Sequence, residues 1–354
     1  MSKLLGRIYR FFQYARNGPF RRALLDYESV FQEILADLHS KDAENSPLDI
    51  DISWNTRSND FNAEAKRATF TRRNQVNISV NCFIDLISTA NLVFSSQDLF
   101  QWIGNADDET GNFSDVLAAD DRDSYTNPPK GPLRKEAANV TTEIGISLII
   151  LHEIGHIALG HTRLGPDLIG SARFRESDDD DDEIDPKKAR NYHACEIDAD
   201  RFSFSYALNL AAQGRSPFSK QLVTRQLQAH LFDLAVLAYV LVITFLHKAD
   251  HPLEYYIAKR HPHPSVRLYA SQFSFLSFLQ DDDRLTAQYS AALKDSFQIL
   301  NHGEYQQTTI RLITHERDTL TNLAREIESR IQKTIRANVP YYDFSSGAWL
   351  SSEP

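Results

Sequence analysis

Two short blocks hold the residue types that do chemistry. His152-Glu153-Ile154-Gly155-His156 sets two imidazoles at i, i+4 with a carboxylate directly after the first, and Glu196-Ile197-Asp198-Ala199-Asp200 sets two carboxylates at the same spacing. On an α-helix four residues turn about 400° and rise about 6 Å, so each i, i+4 pair lies on one face, one turn apart. Two imidazoles so placed can share one zinc ion at about 2.0–2.1 Å. Glu153 points into the adjoining sector, where it can take a proton from a zinc-bound water rather than bind the metal. The chemistry expected is metal-assisted hydrolysis of a peptide bond. The ion lowers the pKa of its water towards ~7 and polarises the scissile carbonyl. Glu153 accepts the water proton and returns it to the leaving amine.

A catalytic zinc takes three protein ligands and keeps a fourth position open. A metzincin would place glycine at 159 and histidine at 162, but this chain has Leu159 and Thr162. A gluzincin instead takes a glutamate from a later helix, which makes Glu196 the third ligand. Asp200, one turn on, is expected to accept a hydrogen bond from the far nitrogen of a ligand histidine and fix its tautomer. Asp198, two residues from Glu196, is expected to face away. The tetrahedral oxyanion needs a donor, for which His261, His263, Arg267 and Tyr192 are candidates that spacing does not separate. His161 reads as a complement to the dipole at its helix C-terminus, His193 as structural, and Cys195 as a thiol outside the ligand set. The alternative to an enzyme is a metal-stabilised binding or regulatory module without hydrolysis. A closed site with His193 or Cys195 as fourth ligand would mark that module.

The elements that must position these residues are mostly helical. From about Leu133 to His161 there is no proline, and Ile144 to Leu151 is apolar on nearly all faces, as in a central buried helix with the His-Glu-x-x-His block at its C-terminal end. Burying Glu153 there without a partner would cost several kcal/mol, on the order of a desolvated charge, and a metal explains the cluster. Further helices are expected over 1–40 (broken at Asn17-Gly18-Pro19), Cys82–Val93, Lys188–Ala212 and 220–248, with an amphipathic stripe of Leu320, Leu323, Ile327, Ile331 and Ile335 near the C-terminus. Val76 to Val80 alternates apolar and polar and is the best strand. A small sheet seeded there is expected to line the cleft and take substrate as an added strand. Asp178 to Glu183 is a run of six acidic residues that reads as a solvated loop.

Composition bounds the rest. A net charge of -10 leaves no chain-wide basic footprint for nucleic acid. Two cysteines, Cys82 and Cys195, make neither a disulfide framework nor a zinc ribbon, and fit a reducing cytosol. Arg7, Arg10 and Arg16 interrupt the N-terminal apolar residues, so no secretory signal is read there. That basic, amphipathic segment reads first as a surface helix and second as a contact for an anionic membrane or a partner. The apolar run Leu234 to Leu246 is shorter than the roughly 20 residues of a bilayer span.

On these residues the chain resembles known gluzincin-type peptidases. His152 to His156 with Gly160-His161 is similar to the HEIGHxxxxH block of the CAAX-prenyl-protease and HtpX-type peptidases. Glu196 to Arg201 resembles their ExEADR block, with Asp198 at the central glutamate. His261-Pro262-His263-Pro264-Ser265-Val266-Arg267 resembles their HPPxxxR block, which implies that His261 or Arg267 contacts substrate or transition state. Those families usually carry clear transmembrane helices, which the sequence does not display, so the soluble Lit phage-exclusion and ImmA/IrrE peptidases are competing resemblances. The likeness spans residues 145–270.

The expectation is therefore an α+β, mostly α protein with a gluzincin-like core of packed helices and a small β-sheet at the cleft. Residues 1–60 would form an N-terminal helical segment, 61–270 a zinc metallopeptidase domain, and 271–354 a C-terminal helical region. Function is expected to be cytoplasmic, zinc-dependent endopeptidase cleavage of a specific intracellular protein or peptide, with one Zn2+ per chain, Glu153 catalytic, and His152, His156 and Glu196 as ligands. No nucleic-acid partner is expected, and the sequence leaves the oligomeric state open.

Overall fold

The computed structural model describes residues 50–55, 62–67, 74–109, 111–113, 128–164, 166–169, 173–175, 183–212, 224–246, 251–279, 283–302, 311, 313, 315–339, 341–343 and 348–350. The helical reading of residues 1–40 and all but Glu183 of the acidic run lie outside them.

One helix organises the fold. α2 (Pro132–Ala158) is buried almost throughout its second half, and α1 (Val80–Phe94), α3 (Pro186–Ala212), α4 (Leu231–Leu246) and a small sheet all pack on it. Among the described residues it is the one helix long and apolar enough to cross a membrane, and 94% of its apolar window is buried inside the protein. Its start is set by Pro132 and by the Glu109 carboxylate, which accepts from the Gly131 and Lys130 N–H groups at 2.9 and 3.0 Å. An anionic acceptor there satisfies free amides and complements the dipole. The start is braced from one turn inside by Arg134, a fully buried cation. Its guanidinium donates to the carbonyls of Phe94, Ser96, Leu99, Phe100 and Ile103 at 2.7–3.0 Å, holding the irregular segment after α1.

The sheet has the order β1 (Ile50–Asn55), β3 (Asn74–Ser79), β2 (Ala63–Arg67), β4 (Arg173–Arg175), with β1 parallel to β3 and the other pairs antiparallel. β3 alternates as its sequence predicts, and Val76 and Ile78 are buried. It is an interior strand, however, with β1 on one side and β2 on the other. Its ladder positions are occupied, so it cannot take an added substrate strand. It also ends one residue earlier than expected, because Ser79 caps α1 by accepting from the Asn81 N–H at 3.2 Å.

α3 opens with Asp185 accepting from the Lys187 and Lys188 amides at 2.9 and 3.2 Å, with Pro186 at the first helical position. The C-terminal helices α5 (Pro264–Leu279), α6 (Asp283–His302) and α7 (Arg317–Arg330) pack back on this core, α6 on α4 and α7 on α3 and α5. The apolar stripe keeps its buried face through Leu320, Ile327, Ile331 and Ile335, but the last two lie in a π-helical turn, Ile331–Ile335. A two-stranded hairpin, β5 (Tyr341–Asp343) and β6 (Ala348–Leu350), follows. The fold is α+β and mostly α, as expected. β1 belongs to the same sheet as β2 and β3, so the sheet draws on both sides of residue 60.

Candidate active site

α2 and α3 cross where the two sequence blocks lie. α2 presents His152 and His156 with their Nε2 atoms 3.0 Å apart. α3 presents Glu196, with Oε2 3.3 Å from His152 Nε2 and Oε1 3.5 Å from His156 Nε2. All three side chains are buried, and their donor atoms lie within 4.8 Å of one another. Donors bonded at about 2.0–2.1 Å to a tetrahedral ion stand about 3.3–3.4 Å apart. Both the spacing and the chemistry of this donor set, two imidazoles and one carboxylate, fit a zinc-sized cation.

Glu153 is fully buried and lines the same cavity as His152, Asp200 and Arg267. The rest of its lining is mostly apolar, from Leu148, Ile149, Val242 and Leu246, with Ser203 and Tyr239.

Each histidine is backed by a carboxylate, in two different ways. Asp200 Oδ1 lies 2.9 Å from Nδ1 of His152, the nitrogen facing away from the cluster. Arg267 grips that carboxylate from behind, with Nε donating to Oδ2 at 2.8 Å and Nη2 to Oδ1 at 2.7 Å. Burial works against an ionised Asp200, but Arg267, joined by His152, outweighs it and holds the carboxyl below its ordinary range. Behind His156 stands His161, with Nδ1 to Nδ1 at 3.0 Å. His161 Nε2 reaches Asp198 Oδ2 at 3.2 Å, and Arg336 Nη2 reaches the same oxygen at 2.6 Å.

The reading of Asp198 is extended and that of His161 is corrected. Asp198 does point to the other side of α3 from Glu196, but it is 8% exposed and engaged with His161 and Arg336. His161 is not a charged complement to a helix dipole; it is fully buried, and burial pushes its pKa down. The reason is local. Gly160 adopts φ 79°, which stops α2 and turns the chain so that His161 swings back under His156 and across to α3.

The third sequence block resolves into different roles. His263 caps α5: its Nδ1 accepts from the Ser265 N–H at 3.1 Å, and its Nε2–H donates to the His251 carbonyl at 3.1 Å. Arg267, one turn into α5, reaches the cluster through Asp200 and stands 3.9 Å from Glu196 Oε2. His261 is buried edge-on to the Tyr192 ring at 5.9 Å and is not among the cavity-lining residues. Tyr192 stacks on Phe174, which in turn stacks on His156 with ring centroids 4.0 Å apart. Phe174 comes from β4, so that edge strand, and not β3, brings the sheet to the site. His193 donates from Nε2 to the Lys259 carbonyl at 2.8 Å, and burial raises the Cys195 thiol well above its ordinary pKa. Among the described residues neither joins the donor cluster, which has three members.

A buried carboxylate thus stands beside a cluster of three donors at one cavity. Residues 87–289, more than half of the chain, match the family model Peptidase U49. The chain belongs to that family, and the function this carries is peptidase action on protein or peptide substrates. Neither the curated proteins nor the solved structures searched contain a match.

Proposed function

We propose that the protein is a zinc-dependent endopeptidase acting on a specific intracellular protein, with Glu153 as the general base. The observation that supports this reading is the convergence of His152, His156 and Glu196 at 3.0–3.5 Å beside the buried Glu153. Zinc held by those three residues would supply Lewis-acid polarisation of the scissile carbonyl and a more acidic water. Glu153 takes the proton from the attacking water and delivers it to the leaving amine. Asp200, braced by Arg267, keeps the His152 ring aimed at the cluster. The wall of Leu148, Ile149, Val242 and Leu246 receives apolar substrate surface and keeps bulk water from Glu153. Among the described residues the cluster has three donors rather than four, which leaves a position for chemistry and favours this reading over a closed, purely structural metal site.

The test compares wild type, Glu153→Gln and Glu196→Ala for bound metal by mass spectrometry and for new protein N-termini in expressing cells. Wild type and Glu153→Gln are expected to carry about one zinc each, with new N-termini only in wild type, and Glu196→Ala is expected to lose the metal. Cleavage by Glu153→Gln at the wild-type rate would overturn the mechanism. Undiminished zinc in Glu196→Ala would remove Glu196 from the ligand set.

A further inference from the structure

We propose that His161, Asp198 and Arg336 form a positioning relay that fixes the ring orientation and tautomer of His156, matching from the other side what Asp200 and Arg267 do for His152. The inference rests on the metal-site reading for its purpose, though the relay geometry is visible without a metal.

When a cation occupies the three donors, His156 Nε2, which faces His152 and Glu196, gives it a lone pair, so Nδ1 carries the hydrogen towards His161 Nδ1 at 3.0 Å. His161 Nδ1 is then the acceptor, and its hydrogen sits on Nε2, donating to Asp198 Oδ2 at 3.2 Å. The opposite tautomer of His161 would put two hydrogens face to face at Nδ1 and two lone pairs face to face at Oδ2. A carboxylate that anchors such a chain must itself be held, and Arg336 holds Asp198 at 2.6 Å. The third charged group near Asp198 is Arg201, which pairs with Glu328. Phe174, stacked 4.0 Å from the His156 ring, limits its rotation.

Arg336 gives the relay its reach. It follows the π-helical turn Ile331–Ile335, and its own amide donates to the Ile331 carbonyl at 2.9 Å. The wider π turn re-aims the chain at the end of α7. Arg336 lies outside the stretch that matches the family model. A residue from the C-terminal region thus completes a contact chain that runs through α3 and the turn after α2 to Nδ1 of His156.

The test uses the full chain with Arg336→Met, Arg336→Lys and His161→Phe. Arg190→Ala serves as control, because it breaks an exposed ion pair between α3 and α7, 3.4 Å to Glu326, without touching the relay. Zinc affinity is read by chelator competition, ligand geometry by the visible spectrum of the cobalt form, and tautomers by imidazole 15N shifts of the zinc-loaded protein. Losing a partner behind a ligand histidine costs about 10–100-fold in metal affinity. That loss, with a shifted cobalt spectrum, is expected for Arg336→Met and His161→Phe, with recovery in Arg336→Lys and no loss in Arg190→Ala. Zinc-loaded wild type is expected to carry hydrogen on His156 Nδ1 and His161 Nε2. If His161→Phe fails to fold by circular dichroism, Arg336→Met, at a partly exposed position, decides. Folded variants with wild-type affinity and an unchanged cobalt spectrum would overturn the relay, as would a His161 hydrogen on Nδ1. Wild type that takes up no metal would overturn the metal reading and the relay with it, whereas zinc binding by wild type with unchanged affinity in the folded variants would overturn the relay alone.

Discussion

A Cβ built on Gly155 would stand 3.3 Å from Ala199 Cα and 3.2 Å from Phe202 Cδ1. α2 and α3 therefore approach closely within the two blocks, with Gly155 next to His156 and Ala199 next to Asp200. The Ala199 backbone and the Phe202 ring, both on α3, limit the space, so an added methyl acts on the spacing between the helices. Replacing glycine by alanine inside a helix favours the helix by about 0.5–1 kcal/mol, while overpacking costs about 1–3 kcal/mol. Gly155→Ala is expected to shift thermal stability little but to weaken zinc binding, because the helices that carry the donors are forced apart. Unaltered zinc affinity in chelator competition would show that the close approach does not set the site.

Arg267 is the second case in which a role can be separated by measurement. The sequence resemblance casts it as a substrate or transition-state contact, whereas its Nε and Nη2 are both engaged with Asp200. Lysine keeps the charge but cannot grip a carboxylate with two parallel bonds. Arg267→Lys is therefore expected to lower zinc affinity along with kcat. A fall in kcat with metal affinity intact would return Arg267 to the substrate side.

Stability should depend heavily on Arg134. Five carbonyls of the segment after α1 accept from its buried guanidinium, and Glu109 lies 3.9 Å away. Arg134→Met leaves those acceptors and a buried carboxylate without their cation, a change that costs about 3–5 kcal/mol. Urea unfolding of the metal-free protein gives the number directly, and a loss below about 1 kcal/mol, the scale of one ordinary hydrogen bond, would contradict the structural role.

His193 carries a pH dependence of definite sign. Burial pushes its pKa down to about 4, against about 6.5 for an unfolded histidine. As pH falls from about 6.5 towards 4, the unfolded chain takes up a proton that the folded chain refuses. Its contribution to stability is therefore whole above pH 6.5, declines through that window, and levels off below it, by an amount on the order of 1–3 kcal/mol. His193→Gln should remove this part of the slope in pH-dependent denaturation of the metal-free protein. An identical slope in wild type and variant would show that His193 is not the group.

Much of the helical frame was legible in the sequence because each element carries its own local signal. Ile144 to Leu151 announces a central helix by being apolar on nearly all sides, and Val76 and Ile78 alternate as a strand should, whereas α3 begins at Pro186, two residues before the expected Lys188. The pairing of that strand was not legible. Its two neighbours come from Ile50–Asn55 and Ala63–Arg67, and strand order depends on long-range packing that alternation does not encode. Among the site residues, His261-Pro262-His263-Pro264 shows the same limit. The block reads as one motif, but His263 caps a helix, Arg267 grips Asp200, and His261 packs on Tyr192.

By itself the sequence determined the parts whose geometry is helical and local: His152 with His156 on one face, Glu153 beside them, and Glu196 with Asp200 one turn apart. Fixed angles of 100° per residue make such relations independent of the rest of the chain. Tertiary structure alone decided what stands behind His152 and His156. Asp198 looked turned away because it is, on its own helix; Gly160 and the π turn before Arg336 bring partners round to meet it. Those partners are 37 residues away in the case of His161, and only the packing of α2, α3 and α7 sets which groups meet in the space between them.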